Sequence, residues 1–429
     1  MRLWPKAALD WLSYEVHSSI ILLILQRAHG RFKSATKSCQ QTPGPNRGAD
    51  CCSGKMVQEI CVFFFSFTAL GVLHVMNTVP AFQEPTAIMQ TGFGVLLIVF
   101  ILIYLASRYN PPKDPLFYVF AVFSFTCVID IVSALEHDGY ISGFMDFYRK
   151  VGEPYLGSAY AIMMCYWDGI VHFIMYLVLI RRMSGRKPYR NLGLFWAGSL
   201  LANMVVFLLG IIVGKYGSEI YPAFWINMPF LLLPIWGAVR LFQKPRELLV
   251  VAASKAEREQ KKVLIWRPLD LILVIYLLGI MVLTLLRGLA VLDCPVEVFT
   301  SYVNEYEPYL KDPAGFPKVM MLVLLFHALP LLGAFVYGLI TPGCTWMLDW
   351  TMYVAGAIVQ TQWCHVGASL HPRTAEALHT PESTLLPVLL LNLLYALGPL
   401  LLALRCTGDP AYFLSTAPVG QHNNEKKWS

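Results

Sequence analysis

Glu153-Pro154-Tyr155-Leu156 recurs downstream as Glu307-Pro308-Tyr309-Leu310, each time behind a tyrosine-bearing polar loop and ahead of a long apolar run. Two further anchors keep the same order. Upstream, Asp114-Pro115-Leu116 is echoed by Arg267-Pro268-Leu269; downstream, Asn227-x-x-Phe230-x-Leu232-x-Pro234 is echoed by Asn392-x-x-Tyr395-x-Leu397-x-Pro399. Three ordered anchors bounding comparable hydrophobic blocks indicate a duplicated unit rather than a chance tetrapeptide.

The residues around the echo fix the solvent. Of 429 residues, 56% are hydrophobic and 14% charged, and the mean hydropathy is +0.55. Soluble domains carry about a quarter charged residues, so this is an integral membrane protein. Many apolar runs reach about 20 residues, enough for a helix to cross a hydrocarbon core of about 30 Å. Open strands would leave unsatisfied edges in lipid, and a membrane barrel would alternate apolar and polar residues, which these runs do not. The expected fold is all-α, polytopic, with about ten transmembrane helices.

Spans are expected at 60–77, 92–107, 115–135, 157–180, 192–213, 221–242, 269–290, 318–340, 346–366 and 384–405. The first and the ninth are the weakest, the first being short and the ninth carrying Gln360, Gln362 and His365. This divides the chain into an N-terminal extension (1–55), a leading helix pair (56–110), a first four-helix unit (114–242), a basic linker (243–266), a second four-helix unit (267–405) and a tail (406–429). Residues 1–55 read as an interfacial helix followed by a partly disordered linker, basic and rich in Pro, Gly and Ser. The ten cysteines are scattered without zinc spacing, so no metal, cofactor or disulfide framework is expected, nor is a nucleic-acid partner.

Charge orients the bundle. Arg181, Arg182, Arg186, Lys187 and Arg190 follow the fourth span, and Lys244, Arg246, Lys255, Arg258, Lys261, Lys262 and Arg267 follow the sixth. Loops after odd spans lean acidic, with Glu136, Asp138, Asp146 and Glu153 in one and Asp293, Glu297, Glu305, Glu307 and Asp312 in another. The positive-inside rule then puts both termini in the cytosol and both EPYL loops in the lumen. On such a tail, Lys426-Lys427-Trp428-Ser429 has the dilysine form of an endoplasmic-reticulum retrieval address.

Ionisable and amide groups at membrane depth are costly and therefore mark candidate sites: Asp130, Asp168, Asn227, Arg287, His327 and Asn392. They suggest one polar-lined cavity per four-helix unit, opening towards the lumenal leaflet. Each has a structural reading as well. Asp168 can be hydrogen-bonded to a neighbouring helix, Arg287 can snorkel to the interface, and His327 can be a packing residue. In the two Asn-x-x-aromatic-x-Leu-x-Pro stretches, proline frees a backbone carbonyl that the asparagine can satisfy, unless it satisfies a ligand. Glu153 and Glu307, each ahead of Pro-Tyr, read first as helix starts.

Several longer motifs carry a family resemblance. Cys165-Tyr166-Trp167-Asp168-Gly169, Gly214-Lys215-Tyr216-Gly217, Leu292-Asp293-Cys294-Pro295 and Gly367-Ala368-Ser369, with the EPYL loops, resemble the transmembrane 6 superfamily from Met56 to about Phe413. Leu394-Tyr395-Ala396-Leu397-Gly398-Pro399 looks like the member 2 branch, and Pro111-Pro112-Lys113-Asp114-Pro115-Leu116-Phe117 like member 1. The resemblance implies tandem EXPERA domains, the four-helix unit of the emopamil-binding sterol isomerase and the sigma-2 receptor. By that likeness the isomerase's first-helix acid falls on Asp130 and its histidine on Thr126. The second-helix glutamate falls near Cys165 or Tyr166, with Asp168 about one helical turn late. Asn227, Phe230 and Pro234 match the fourth helix, as do Asn392, Tyr395 and Pro399 in the second unit, where Leu283 and its neighbours offer no acid.

The implied pocket framework is therefore retained while the proton-transfer set is not, which weighs against catalysis on an alkene. Ligand-binding residues are expected to be Asp130, Trp167, Asp168, Asn227, Phe230, Asn392 and Tyr395. The resemblance implies a role in lipid homeostasis in the endoplasmic reticulum: triglyceride-rich lipoprotein secretion, lipid-droplet content and cholesterol handling. Membrane lipids or sterols, and lipoprotein-assembly proteins, are the implied partners. A sterol double-bond isomerase using Asp130 and Asp168, and a scaffold for lumenal partners, are the alternatives.

Overall fold

A computed structural model describes residues 57–109, 111–246 and 251–414, and among these every regular element is helical. The N-terminal extension and the Lys426-Lys427 pair lie outside the described residues. Among the described residues nine helices are long and apolar enough to cross a membrane: α1 Gln58–Thr78, α2 Pro85–Ala106, α3 Leu116–His137, α4 Ala159–Ser184, α5 Arg190–Val213, α6 Pro222–Gln243, α7 Pro268–Val291, α8 Phe316–Ile340 and, last among them, Leu385–Gly408. Between the last two runs α9, Met347–Leu370, which makes Leu385–Gly408 α10. The chain is thus an all-α, multi-pass membrane protein.

α9 is one of the two runs that sequence rates weakest, and packing supplies the reason. It lies against α4, α5 and α10, with Gln360, Gln362 and His365 all buried, so protein rather than lipid is its surroundings. α5 and α9, the third helices of the two units, meet at glycines. A Cβ on Gly198 would stand 1.8 Å from the Tyr353 carbonyl oxygen, and one on Gly356 would stand 1.9 Å from that of Phe195. Each glycine faces the carbonyl one turn before the other, so the crossing is reciprocal. Only a missing side chain lets two membrane helices come this close, where dispersion rather than water expulsion holds them.

Each unit is tied at one end by a matching ion pair. At the basic-loop end, Arg240 Nε donates to Asp114 at 2.9 Å, joining the end of the fourth helix to the start of the first. Arg405 Nε does the same to Asp270 at 2.7 Å in the second unit. Both arginines follow the motif asparagine by the same spacing (Asn227 to Arg240, Asn392 to Arg405), so the duplication extends to this tie. Arg190 donates to Asp349 at 2.6 Å, with Arg246 on the same carboxylate, and so joins the units. At the opposite end lie both EPYL turns. Pro154 and Pro308 each open a short 3-10 turn, and the Lys215 amide after α5 donates to Pro313 O at 3.0 Å beyond the second turn.

Candidate functional site

In the first unit α3 supplies Asp130 and α4 supplies Asp168. α4 widens into one π turn over Asp168–His172, a feature that recurs at functional sites. A Cβ on Gly169 would lie 2.6 Å from Ile131 Cβ and 2.8 Å from its amide nitrogen, so glycine lets α4 lie on the backbone of α3 beside Asp130. Asp168 and Glu153 are the carboxyl groups near Asp130.

The two aspartates have unlike surroundings. Asp168 lies 2.7 Å from His172 Nδ1 and accepts from Asn203 at 3.4 Å. The chain runs on through His172 Nε2, 2.9 Å from Ser199 Oγ, to Gln360 on α9. Trp167 Nε1 donates to Ser199 at 3.2 Å, and its ring lies 5.9 Å from Trp363. Asp130, by contrast, makes no hydrogen bond or ion pair among the described residues and is partly accessible, although it sits among protein atoms deep in α3. It is therefore reachable from outside the bundle. Phe230 packs its ring 4.9 Å from Phe123, two turns from Asp130 on α3.

Glu153 closes this site at the EPYL end. It accepts from Tyr148 and Tyr155, both at 2.6 Å, and from Asn227. Burial pushes its carboxyl above the usual range, against the pull of these three donors.

The second unit repeats the frame with a different filling. Tyr302 donates to Glu307 at 2.8 Å and Asn392 at 3.1 Å, matching Tyr148 and Asn227 on Glu153. Arg287 adds a cation: its Nε donates to Glu307 at 2.8 Å, and its Nη2 to the same carboxylate and to Asn392 Oδ1 at 2.8 Å. His365 Nε2 lies 3.3 Å from Glu307, and Tyr395 bonds with Thr284 at 2.6 Å while its ring lies under the guanidinium. Burial alone would raise the Glu307 carboxyl; Arg287 and His365 overcome it and hold it far below the usual range. Arg287, Glu307, His365, Asn392 and Tyr395 are each 1% exposed.

Residues 68–252 match the family described as transmembrane 6 superfamily member 2-like, transmembrane domain. Transmembrane 6 superfamily member 2 of Mus musculus is 46% identical over 363 residues, covering 84% of this chain and 96% of that protein. The chain belongs to the transmembrane 6 superfamily, and within it is member 2-like. Member 2 of Rattus norvegicus is 47% identical over 362 residues (84% and 96%), and that of Homo sapiens 46% over 353 (82% and 94%). No solved structure matches the chain.

In this superfamily member several residues stand differently from their sequence reading. Arg287 does not snorkel: it is sealed inside on Glu307, because a buried carboxylate offers it more than the interface does. Glu153 and Glu307 precede helical turns but cap neither with a side chain; each turns inward to hold its asparagine. Asn227 bonds Phe224 O and Asn392 bonds Val388 O, so neither serves the carbonyl freed by the proline downstream. His327 sits on a second π turn, Leu324–Ala328, but faces outward with its ring 6.2 Å from that of Tyr353. His172, Ser199, His365 and the Arg240/Arg405 pair escaped the sequence reading. The constant spacing from asparagine marks the two arginines; nothing local marks the others.

Proposed function

We propose that this protein binds or handles lipid or sterol in the membrane of the endoplasmic reticulum, in support of triglyceride-rich lipoprotein secretion and lipid-droplet control. The observation that carries the reading is the partly accessible carboxyl of Asp130 inside a membrane bundle, without a hydrogen bond among the described residues, with the Phe123–Phe230 pair two turns along α3. An apolar wall with a few placed polar groups holds an amphiphile by burying its body and orienting its head. Gathering of Arg190, Arg240, Lys244 and Arg246 at one end supports a cytosolic face there, with the EPYL turns lumenal. Lipoprotein-assembly proteins are the partners expected at that lumenal face. The test is mass spectrometry of lipids retained in mild detergent. A specific lipid in the parent protein that disappears from Asn227→Ala is expected; identical lipid content in both would refute the reading.

The unlike surroundings of Asp130 and Asp168 favour a second reading, a sterol double-bond isomerase, since paired carboxyls in different environments divide acid and base roles. It predicts conversion of a Δ8 sterol that Asp130→Asn abolishes.

A further inference from the structure

We infer that the two units have parted in role: the first takes one external ligand with a hydrogen-bond-donating head, and the second is filled by the guanidinium of Arg287. This inference rests on the lipid-binding reading above. Its basis is the match between the two frames. In each, a glutamate opens the EPYL turn, a tyrosine five residues earlier donates to it, and the fourth-helix asparagine donates as well.

What differs is the occupant. In the second unit Arg287 supplies donors to Glu307 and to Asn392 Oδ1 from inside the protein, and the whole cluster is sealed at 1% exposure. Counted from the proline that opens the first helix, the residue matching Arg287 is Ala134, whose methyl group donates nothing. The first unit instead leaves Asp130 without a hydrogen bond among the described residues, and Asp130, Asn227 and Phe230 each keep partial exposure. The second frame has its cation inside, with only Arg287 Nη1 and His365 Nδ1 left without a hydrogen bond; the first has no such cation and an acceptor left over.

The leftover acceptor sets the ligand chemistry. An ionised carboxylate only accepts hydrogen bonds, so a head that holds Asp130 ionised must donate them, as a sterol hydroxyl or the ammonium of phosphatidylethanolamine does. Triacylglycerol and cholesteryl ester carry acceptors only and offer an ionised Asp130 nothing. Phe230, partly exposed and packed on Phe123, offers an apolar surface for the body of either donor-headed lipid.

The test uses the full chain in nanodiscs, with native mass spectrometry for stoichiometry and photoreactive analogues of cholesterol, phosphatidylethanolamine and triacylglycerol for location. One donor-headed lipid per chain is expected, with adducts on α3 or α6, and Asp130→Ala should weaken binding by about ten-fold or more. Asp130→Asn keeps the side-chain volume and, with a thermal melt, separates lost binding from lost folding. Labelling by cholesterol alone or by phosphatidylethanolamine alone supports the inference and identifies the source of the donor. Two lipids per chain, adducts on α7 or α10, or equal binding of triacylglycerol would overturn the division while leaving lipid binding intact. No bound lipid of any kind would overturn the lipid-binding reading and this inference with it.

Discussion

Arg287→Met isolates what the second unit gains from its internal cation. The side chain is removed from a carboxylate that is itself 1% exposed, leaving Glu307 with Tyr302, Asn392 and His365 as partners. Breaking a buried pair in this way costs about 3–5 kcal/mol, because the surviving charge keeps its desolvation penalty and loses its counter-charge. That is roughly two to four orders of magnitude in the unfolding equilibrium. Much of the loss should return in Arg287→Met/Glu307→Gln, where no charge is stranded and the amide still accepts from Tyr302. The assay is unfolding in mixed micelles followed by circular dichroism, read as a double-mutant cycle because the two residues share partners. A single-variant loss below about 1 kcal/mol, or a double variant no better than the single, would show that the pair does not act as a buried ion pair.

Two further outcomes follow from the same geometry. Burial raises Glu153 above its unfolded value of 4.5, so its contribution to stability is fully present below that value and is lost as pH rises through the raised one. Glu307, held low, contributes above its unfolded value and loses it only in strong acid. Stability of the parent should therefore fall as pH rises above the ordinary carboxylate range, and Glu153→Gln should flatten that slope; an unchanged slope in the variant would refute the assignment to Glu153. At the helix crossing, Gly356→Leu should prevent α5 and α9 from closing and abolish the monodisperse folded peak in size-exclusion chromatography, since its Cβ would meet Phe195 O at 1.9 Å. Gly71→Ala, with nothing within 4 Å, is the control expected to behave as the parent, and a normal profile for Gly356→Leu would count against the crossing.

The duplication, the helical class and the spans are legible in the sequence because lipid imposes them locally. A backbone in hydrocarbon must satisfy its own hydrogen bonds, so run length and the EPYL, proline and asparagine anchors suffice to mark each helix and its copy. α9 was legible only faintly, since Gln360, Gln362 and His365 lower its hydropathy while its protein neighbours shelter them. Asp130, Asn227 and Asn392 could be named in advance, since a polar group in an apolar run has few bland uses.

Tertiary structure decided what those groups meet. Nothing near Arg287 in sequence says that Glu307 lies across from it, and an arginine near a helix end has a cheaper local option at the interface. His172 and Ser199 look ordinary until α4 and α5 pack and set them in line with Asp168. The contrast between the units has the same origin. Sequence writes one frame twice, but whether a frame is open or filled depends on a guanidinium reaching from one helix to the turn ahead of the next, a distance that local pattern does not encode and packing alone sets.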